Sequence, residues 1–308
     1  MNVRLLKKAA PDGAAAAAPH GGKPAAPALE APRREATFLS RLFRNKLAAV
    51  SGIYLVLLCI GAIFADQLTP YDPLQGNLRE RMQPIGAPGH FLGTDEQGRD
   101  MWARIIFGAR MSLPAALAPV AAGTLIGGAL GIVSGYFGGR VETAIMRMLD
   151  VFYAFPAVLF AIALAAIIGT GLFTMILCMT LVFIPPIARV AMTAAKKVAH
   201  MEYVEAAKTS GAGPLSIIFR HVLRNVFSPI LVYASTLLGV SMLMASGLSF
   251  LGLGVSPPAP EWGFMLNSLK DVIFLKPLIT FVPGFFIFIT SLAFNLLGDG
   301  IRDALNER

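Results

Sequence analysis

Charge is what this chain most lacks. Only 14% of its 308 residues are Asp, Glu, Lys or Arg, whereas 56% are hydrophobic and mean hydropathy is +0.66. Soluble domains carry roughly 25% charge and about 45–50% apolar residues. So few charges cannot coat a globular surface, which excludes a soluble enzyme and predicts a polytopic membrane protein. Cysteine is scarce too: Cys59 and Cys178 both sit inside apolar runs and offer neither a disulfide framework nor metal-ligand spacing. The four histidines, His20, His90, His200 and His221, are scattered and read as structural or solvated groups. No G-x-x-x-x-G-K-[ST] is present to cradle a nucleotide, and H-E-x-x-H and a nucleophile elbow are missing as well. No catalytic residue, metal ligand or bound cofactor is therefore assigned, and an intramembrane enzyme has no catalytic pair to rest on.

Acidic residues are nearly missing from the apolar runs. Asp150, at the start of the third, is the exception, and Arg147 lies one turn before it. Arg147 and Asp150 are expected to form a structural ion pair, with a functional gate as the alternative. Ion-coupled transporters place ionisable groups near the midplane, so the shortage argues against a stand-alone secondary transporter.

What the chain does have is length of apolar sequence. Runs of spanning length occur at about 47–65, 113–134, 149–168, 172–189, 226–248 and 278–297, predicting an all-α fold with about six transmembrane helices. The first contains ten Leu, Ile, Val or Phe residues, which together favour insertion by roughly 3–6 kcal/mol. Residues 1–46 are different: Ala, Pro and Gly dominate, and such a tail cannot bury enough apolar surface to offset its ordering entropy. It is read as a disordered cytoplasmic tail with a basic juxtamembrane end at Arg41, Arg44 and Lys46. The apolar run after it begins too late for a cleaved signal peptide.

With the N-terminus placed inside, 19 of the 26 Lys and Arg fall in cytoplasmic segments. This bias predicts N-in, C-in topology. It also accounts for the net charge of +8 without invoking nucleic acid, leaving membrane lipid as the expected surroundings. The expected organisation is a first helix over 47–65, a periplasmic segment over 66–112, a core over 113–300 with a cytoplasmic loop over 190–225, and a cytoplasmic end over 301–308.

Three features refine this outline. Gly123, Gly127, Gly131 and Gly135 recur every four residues and share one helical face, where another backbone can approach closely. Helix packing is the plain reading, gating the alternative. Pro114, Pro119, Pro156, Pro185 and Pro186 are expected to kink or end their helices. In the long loop, Val190, Ala194, Val198, Met201 and Val204 follow helical periodicity, predicting an amphipathic helix that continues through Glu205-Ala206-Ala207 and stops near Gly211. A second helical stretch is expected from about Leu215 to Leu223. Periodicity alone leaves open whether the first helix lies on lipid or binds a partner.

The residues themselves carry a resemblance. Glu205-Ala206-Ala207-x-x-x-Gly211, followed by Ile217-Ile218-Phe219-Arg220-His221-Val222-Leu223-x-Asn225, resembles the EAA coupling loop of ABC importer permeases. His90-Phe91-Leu92-Gly93-Thr94-Asp95-Glu96-x-Gly98-Arg99-Asp100 is similar to the C-type permease of dipeptide and oligopeptide importers, the peptide/nickel family. So are Gly135-Tyr136-Phe137-Gly138-Gly139, Ala154-Phe155-Pro156, Ser249-Phe250-Leu251-Gly252 and the closing Phe294-Asn295-Leu296-Leu297-Gly298-Asp299. The resemblance covers roughly residues 40–308. One position departs: Arg224 stands where that family carries Pro, leaving Pro229 as the source of a bend.

The resemblance implies a type I ABC importer permease fold in the bacterial inner membrane. It also implies a B-type permease subunit as heterodimer partner, two ABC ATPase subunits that bind ATP and Mg, and a periplasmic solute-binding protein. Glu205, Ala206, Ala207, Gly211, Arg220 and His221 would form the ATPase-coupling loop. Thr94, Asp95, Arg99 and Asp100 are candidates for docking the binding protein, with a structural cap as the alternative. Ser228, Ser235, Met242 and Ser246 give the fifth helix a small, partly polar face that either lines the pathway or packs. Di- and oligopeptides are the expected cargo, with nickel, metal chelates or glutathione as alternatives.

Overall fold

The computed structural model describes residue 42 and residues 44–306. The tail expected over 1–46 falls almost wholly outside them. Five helices are long and apolar enough to span a bilayer: α1 (Lys46–Ile63), α2 (Met101–Phe137), α5 (Leu172–Ala199), α7 (Pro214–Phe250) and α9 (Pro277–Asn306). A bent pair, α3 (Gly139–Tyr153) and α4 (Ala157–Ile168), meets at 84° and is long and apolar enough, taken together, for a sixth. The shorter helices include α6 (Glu202–Thr209) and α8 (Trp262–Ser268). Among the described residues there is no strand, only isolated bridges at Ala87–His90 and Thr94–Asp100.

Local chemistry sets the helix ends. Asn45 caps α1, its side-chain oxygen accepting from the backbone N–H of Leu47 and Ala48. At the far end of α1, Arg110 donates to the orphan carbonyls of Ala62 and Ile63 and pairs with Asp66 at 2.7 Å. Asp100 caps α2 through a 2.7 Å bond from the Ala103 N–H, so this helix starts twelve residues before the apolar run at 113. At ~1.5 Å per residue α2 is roughly 55 Å long, far more than the ~30 Å of hydrocarbon. Its first three turns therefore lie within the segment expected to be periplasmic, 66–112. Pro114 and Pro119 stay inside α2 without ending it.

The third crossing corrects the expected helix over 149–168. Pro156 lacks an N–H and pushes Phe155 out of the helical region. The Ala154 N–H closes α3 on the Asp150 carbonyl, and α4 opens when the Phe160 N–H reaches the Pro156 carbonyl. Twelve residues in α4 rise only about 18 Å, too short to cross alone. The ion pair expected between Arg147 and Asp150 is likewise corrected. Asp150 turns toward α5 and accepts from Arg189 Nη2 at 2.6 Å, while Arg147 points outward on α3. Arg189 also covers the Tyr153 ring at 4.8 Å, which favours the cross-helix partner over the one on the same helix.

Packing centres on α2. The Gly123-Gly127-Gly131-Gly135 stripe lies on α5, so close that a Cβ at Gly127 would stand 2.6 Å from the Ile184 carbonyl oxygen. One at Gly131 would stand 2.6 Å from the Ala191 Cβ and 2.9 Å from the Met192 nitrogen. Backbone-to-backbone contact of this kind is the attractive force left when lipid is as apolar as the helices. Tyr54 on α1 bonds Thr290 on α9 at 2.9 Å, tying the first helix to the last.

Candidate functional site

Two regions carry the residues singled out above, at opposite ends of α5 and α7. At the α6 end, the predicted unbroken helix from Val190 to Ala207 divides. Its first part simply continues α5 as far as Ala199, and Met201 then turns extended at ψ 144°. The Met201 carbonyl accepts from Val204 and Glu205 to start α6 afresh. The new helix is anchored by few groups. Val204 is fully buried among Val198, Ile217 and Val222. Lys208 donates to the Ala199 carbonyl at 3.3 Å and lies over the Tyr136 ring. The Tyr203 hydroxyl accepts from Asn225 at 3.1 Å.

The opposite face of α6 is bare. Glu205 and Ala206 are exposed and Ala207 is half-buried. The helix then stops in a Schellman turn: Ala212 N–H reaches the Ala207 carbonyl and Gly211 N–H the Lys208 carbonyl, with Gly211 at φ +83°. Arg220 is exposed beyond the turn, and His221 is half-buried with its ring 6.1 Å from that of Tyr203. A π-turn over Ile218–Val222 ends two residues before Arg224, which lies in the regular α-helix that begins at Leu223. The result is a short helix with Ala206 and the carboxylates of Glu202 and Glu205 exposed, held by buried Val204 and by Lys208 and Tyr203. It lies between the end of α5 at Ala199 and the start of α7 at Pro214.

The second region, 69–100 with α8, is tied together by buried ions. Thr94, Asp95, Arg99 and Asp100 are each 3% exposed or less, so they face inward and are not a docking surface. Asp95 accepts from Arg99 Nε at 2.6 Å and from the N–H groups of Gln97 and Arg99, with Arg104 Nε at 3.4 Å. Asp100 pairs with His90 at 2.8 Å while capping α2. The Thr94 hydroxyl donates to the Glu80 carbonyl. Burial of so many ionic groups costs more than it returns unless each is paired, which explains the dense pattern. The structural-cap alternative for these four residues is the one the geometry supports.

Sequence reasoning missed several members of this assembly. Arg104 joins the cluster from the first turn of α2 and holds the Pro73 carbonyl at 2.8 Å. Glu261 caps α8 and accepts from Ser112, and the Trp262 indole N–H donates to the Ile105 carbonyl at 2.9 Å. No local pattern joins Ser112 to Trp262, because their pairing spans 150 residues of chain.

The small face of α7 also packs. Ser235, Met242 and Ser246 are buried and Ser228 is half-buried. Ser235 backs onto Gly298 of α9, Met242 sits with Trp262 and Met265, and Ser246 lies under Gly263 of α8. In this conformation the packing reading replaces the pathway-lining one. No group of three or more His, Cys, Asp or Glu side chains gathers to hold a metal ion among the described residues.

Comparison with known proteins gives a consistent picture. The profile described as "Binding-protein-dependent transport system inner membrane component" matches residues 127–308. A second, the "N-terminal TM domain of oligopeptide transport permease C", matches residues 36–84. A glutathione transport system permease protein of Pectobacterium atrosepticum is 40% identical over 280 residues, 91% of this chain and 92% of the relative. Its counterpart in Shigella sonnei is 38% identical over 271 residues, 88% and 89% of the two chains. Among solved structures, inward-facing conformations of the MetNI methionine ABC transporter superpose with a TM-score of 0.52 at 16% identity, covering 67% of this chain and 97% of that chain. The last is a likeness of fold: the helices are arranged as in an ABC importer permease.

Proposed function

The chain belongs to the family of binding-protein-dependent transport system inner membrane components, and on that premise we propose that it is one of two paired permease subunits in an ATP-driven importer of glutathione. The expectation of di- and oligopeptides in general gives way to this narrower cargo, because the relatives named above are glutathione permeases matched over about nine-tenths of their length. The second permease would be B-type. Two ATPase subunits would hold ATP and Mg, a solute-binding protein would deliver cargo, and this chain would hydrolyse nothing. The basic residue bias supports a multi-pass protein of the bacterial inner membrane with both termini cytoplasmic.

One observation carries the coupling role. The exposed Glu205-Ala206 face of α6 stands on a single buried residue, Val204, at the junction of α5 and α7. A push on that face from an ATPase would be delivered to both helices at once. Co-reconstitution of all the named subunits in proteoliposomes tests the function: labelled glutathione should enter only with ATP and binding protein, and an unlabelled dipeptide should compete poorly. Uptake by this chain alone, driven by an ion gradient, would overturn the reading in favour of a secondary transporter.

Gly211 supplies a sharper test. No atom lies within 4 Å of the position a Cβ would take, so a larger side chain meets no clash. Its backbone is left-handed, however, which costs a β-branched residue about 1–2 kcal/mol. Gly211→Val should therefore leave membrane insertion intact but loosen the end of α6. ATP hydrolysis by the assembled complex should continue while glutathione uptake falls at least tenfold. Unchanged uptake would remove α6 from the coupling path.

A further inference from the structure

Between α2 and the first half of α7 runs a groove that the packing described above leaves empty. It encloses about 360 Å³ and is lined almost wholly by carbon, with Gly128 and Ile132 on one wall and Phe219, Leu223, Phe227 and Ile230 on the other. Gly128 forms a floor without a side chain, where the methyl groups of Ile230 come no closer than 3.7 Å to a notional Cβ. On α7 the lining residues follow a four-residue stripe from Leu215 to Leu231. The stripe is bordered on one side by buried Ile218, Val222 and Val226. Arg220 and Arg224 each follow a lining residue, Phe219 and Leu223, by one position; both are exposed and have no ion-pair partner among the described residues.

The groove thus crosses from the apolar run that begins near 226 to the basic segment before it. Hydrocarbon lining and unneutralised cations share one strip of surface, an arrangement complementary to an amphiphile with a negative head. An uncharged protein helix would satisfy the carbon wall but would leave the two guanidinium groups without an anion. Arginine reaches the headgroup layer by extending its aliphatic stem along the apolar surface, and anionic headgroups attract such residues within a Debye length.

We propose that this groove is a binding site for one anionic phospholipid, with an acyl chain lying between α2 and α7 and the phosphate held by Arg220 and Arg224. Arg224, which departs from the family's Pro, then supplies the cation nearest the middle of the groove.

Native mass spectrometry of the full-length chain tests this, using phosphatidylglycerol and phosphatidylcholine with identical acyl chains. The chain should retain one phosphatidylglycerol under conditions that strip phosphatidylcholine. Arg220→Ala with Arg224→Ala should erase that preference, weakening phosphatidylglycerol retention roughly 10- to 30-fold, the factor expected for two surface cations. Ala129→Trp should expel both lipids, because Ala129 is exposed on the groove wall and a large ring there fills the space from outside without entering the core. Equal retention of the two lipids by the unmodified chain would overturn the proposal. So would unchanged retention in Ala129→Trp, or loss of the lipid when the second permease is bound, which would give the groove to a protein partner.

Discussion

Gly131→Leu is expected to destroy the folded bundle. A Cβ alone at this position would lie 2.6 Å from the Ala191 Cβ and 2.9 Å from the Met192 nitrogen, and the isobutyl group has nowhere else to go. Both obstacles belong to the α5 helix itself, one of them backbone, so no rotamer change relieves them. Overpacking in a core with mobile neighbours costs ~1–3 kcal/mol. Here the helix pair must separate, and the loss should reach ~3 kcal/mol or more, beyond the usual overpacking range. In membranes, the variant should be degraded or recovered as aggregate, and its thermal unfolding midpoint in detergent should fall sharply. Gly127→Leu should behave alike, because its Cβ would meet the Ile184 carbonyl oxygen at 2.6 Å. Gly128→Ala is the control: one residue along, its nearest neighbour is a methyl group at 3.7 Å, and normal folding is expected. If Gly131→Leu accumulates and assembles with its partner subunits like the unmodified chain, α2 and α5 do not pack as described.

Asp95→Ala should have the second largest effect, at the other end of the molecule. The carboxylate serves two buried guanidinium groups, Arg99 at 2.6 Å and Arg104 at 3.4 Å, whose side chains are 2% and 1% exposed. It also accepts the N–H groups of Gln97 and Arg99, which shape the turn before α2. Removing one member of a buried ion cluster strands its partners and costs about 3–5 kcal/mol. The helices should survive, since lipid leaves their backbones no alternative, and the damage should be confined to the cap. Hydrogen exchange is the measurement: amides of residues 76–100 should lose protection while those of α5 and α7 keep it. Asp95→Asn should fall between, keeping acceptors for the backbone but losing the charge. Unchanged exchange in Asp95→Ala would show that the cap is held by its backbone turns and that the ions are passengers.

Both outcomes bear on transport through different routes. A loosened cap would leave α6 intact, so ATP hydrolysis and ATPase binding should persist while delivery of cargo suffers. The same contrast separates the two ends of the molecule: Gly211→Val tests the proposed coupling, Asp95→Ala the fold of the cap.

Much of the architecture was legible in the residues alone. The apolar runs announced the helices because lipid offers no hydrogen-bond partner, and a chain crossing it must close its bonds within a helix. The four-residue glycine stripe named a contact face, although not its partner. The Glu205-Ala206-Ala207 helix and its stop at Gly211 were also readable, since small side chains and a left-handed turn are local properties. Local sequence misled where a residue's role depends on what lies across from it. Thr94, Asp95, Arg99 and Asp100 are polar and sit in a loop, the usual signature of an exposed site, yet they face inward because Arg104 and His90 meet them there.

The chain's own order of residues therefore determined which stretches become helical, where the Glu205-Ala206-Ala207 helix stops and which family the whole resembles. These follow from composition and from spacing within a few turns. Tertiary structure alone decided that Asp150 pairs with Arg189 and not Arg147, and that Ser235, Met242 and Ser246 face α8, α9 and the core. The reason is physical. Burial and ion pairing are properties of neighbours brought together from distant stretches of chain, and no local pattern specifies which of several equally apolar helix faces will meet.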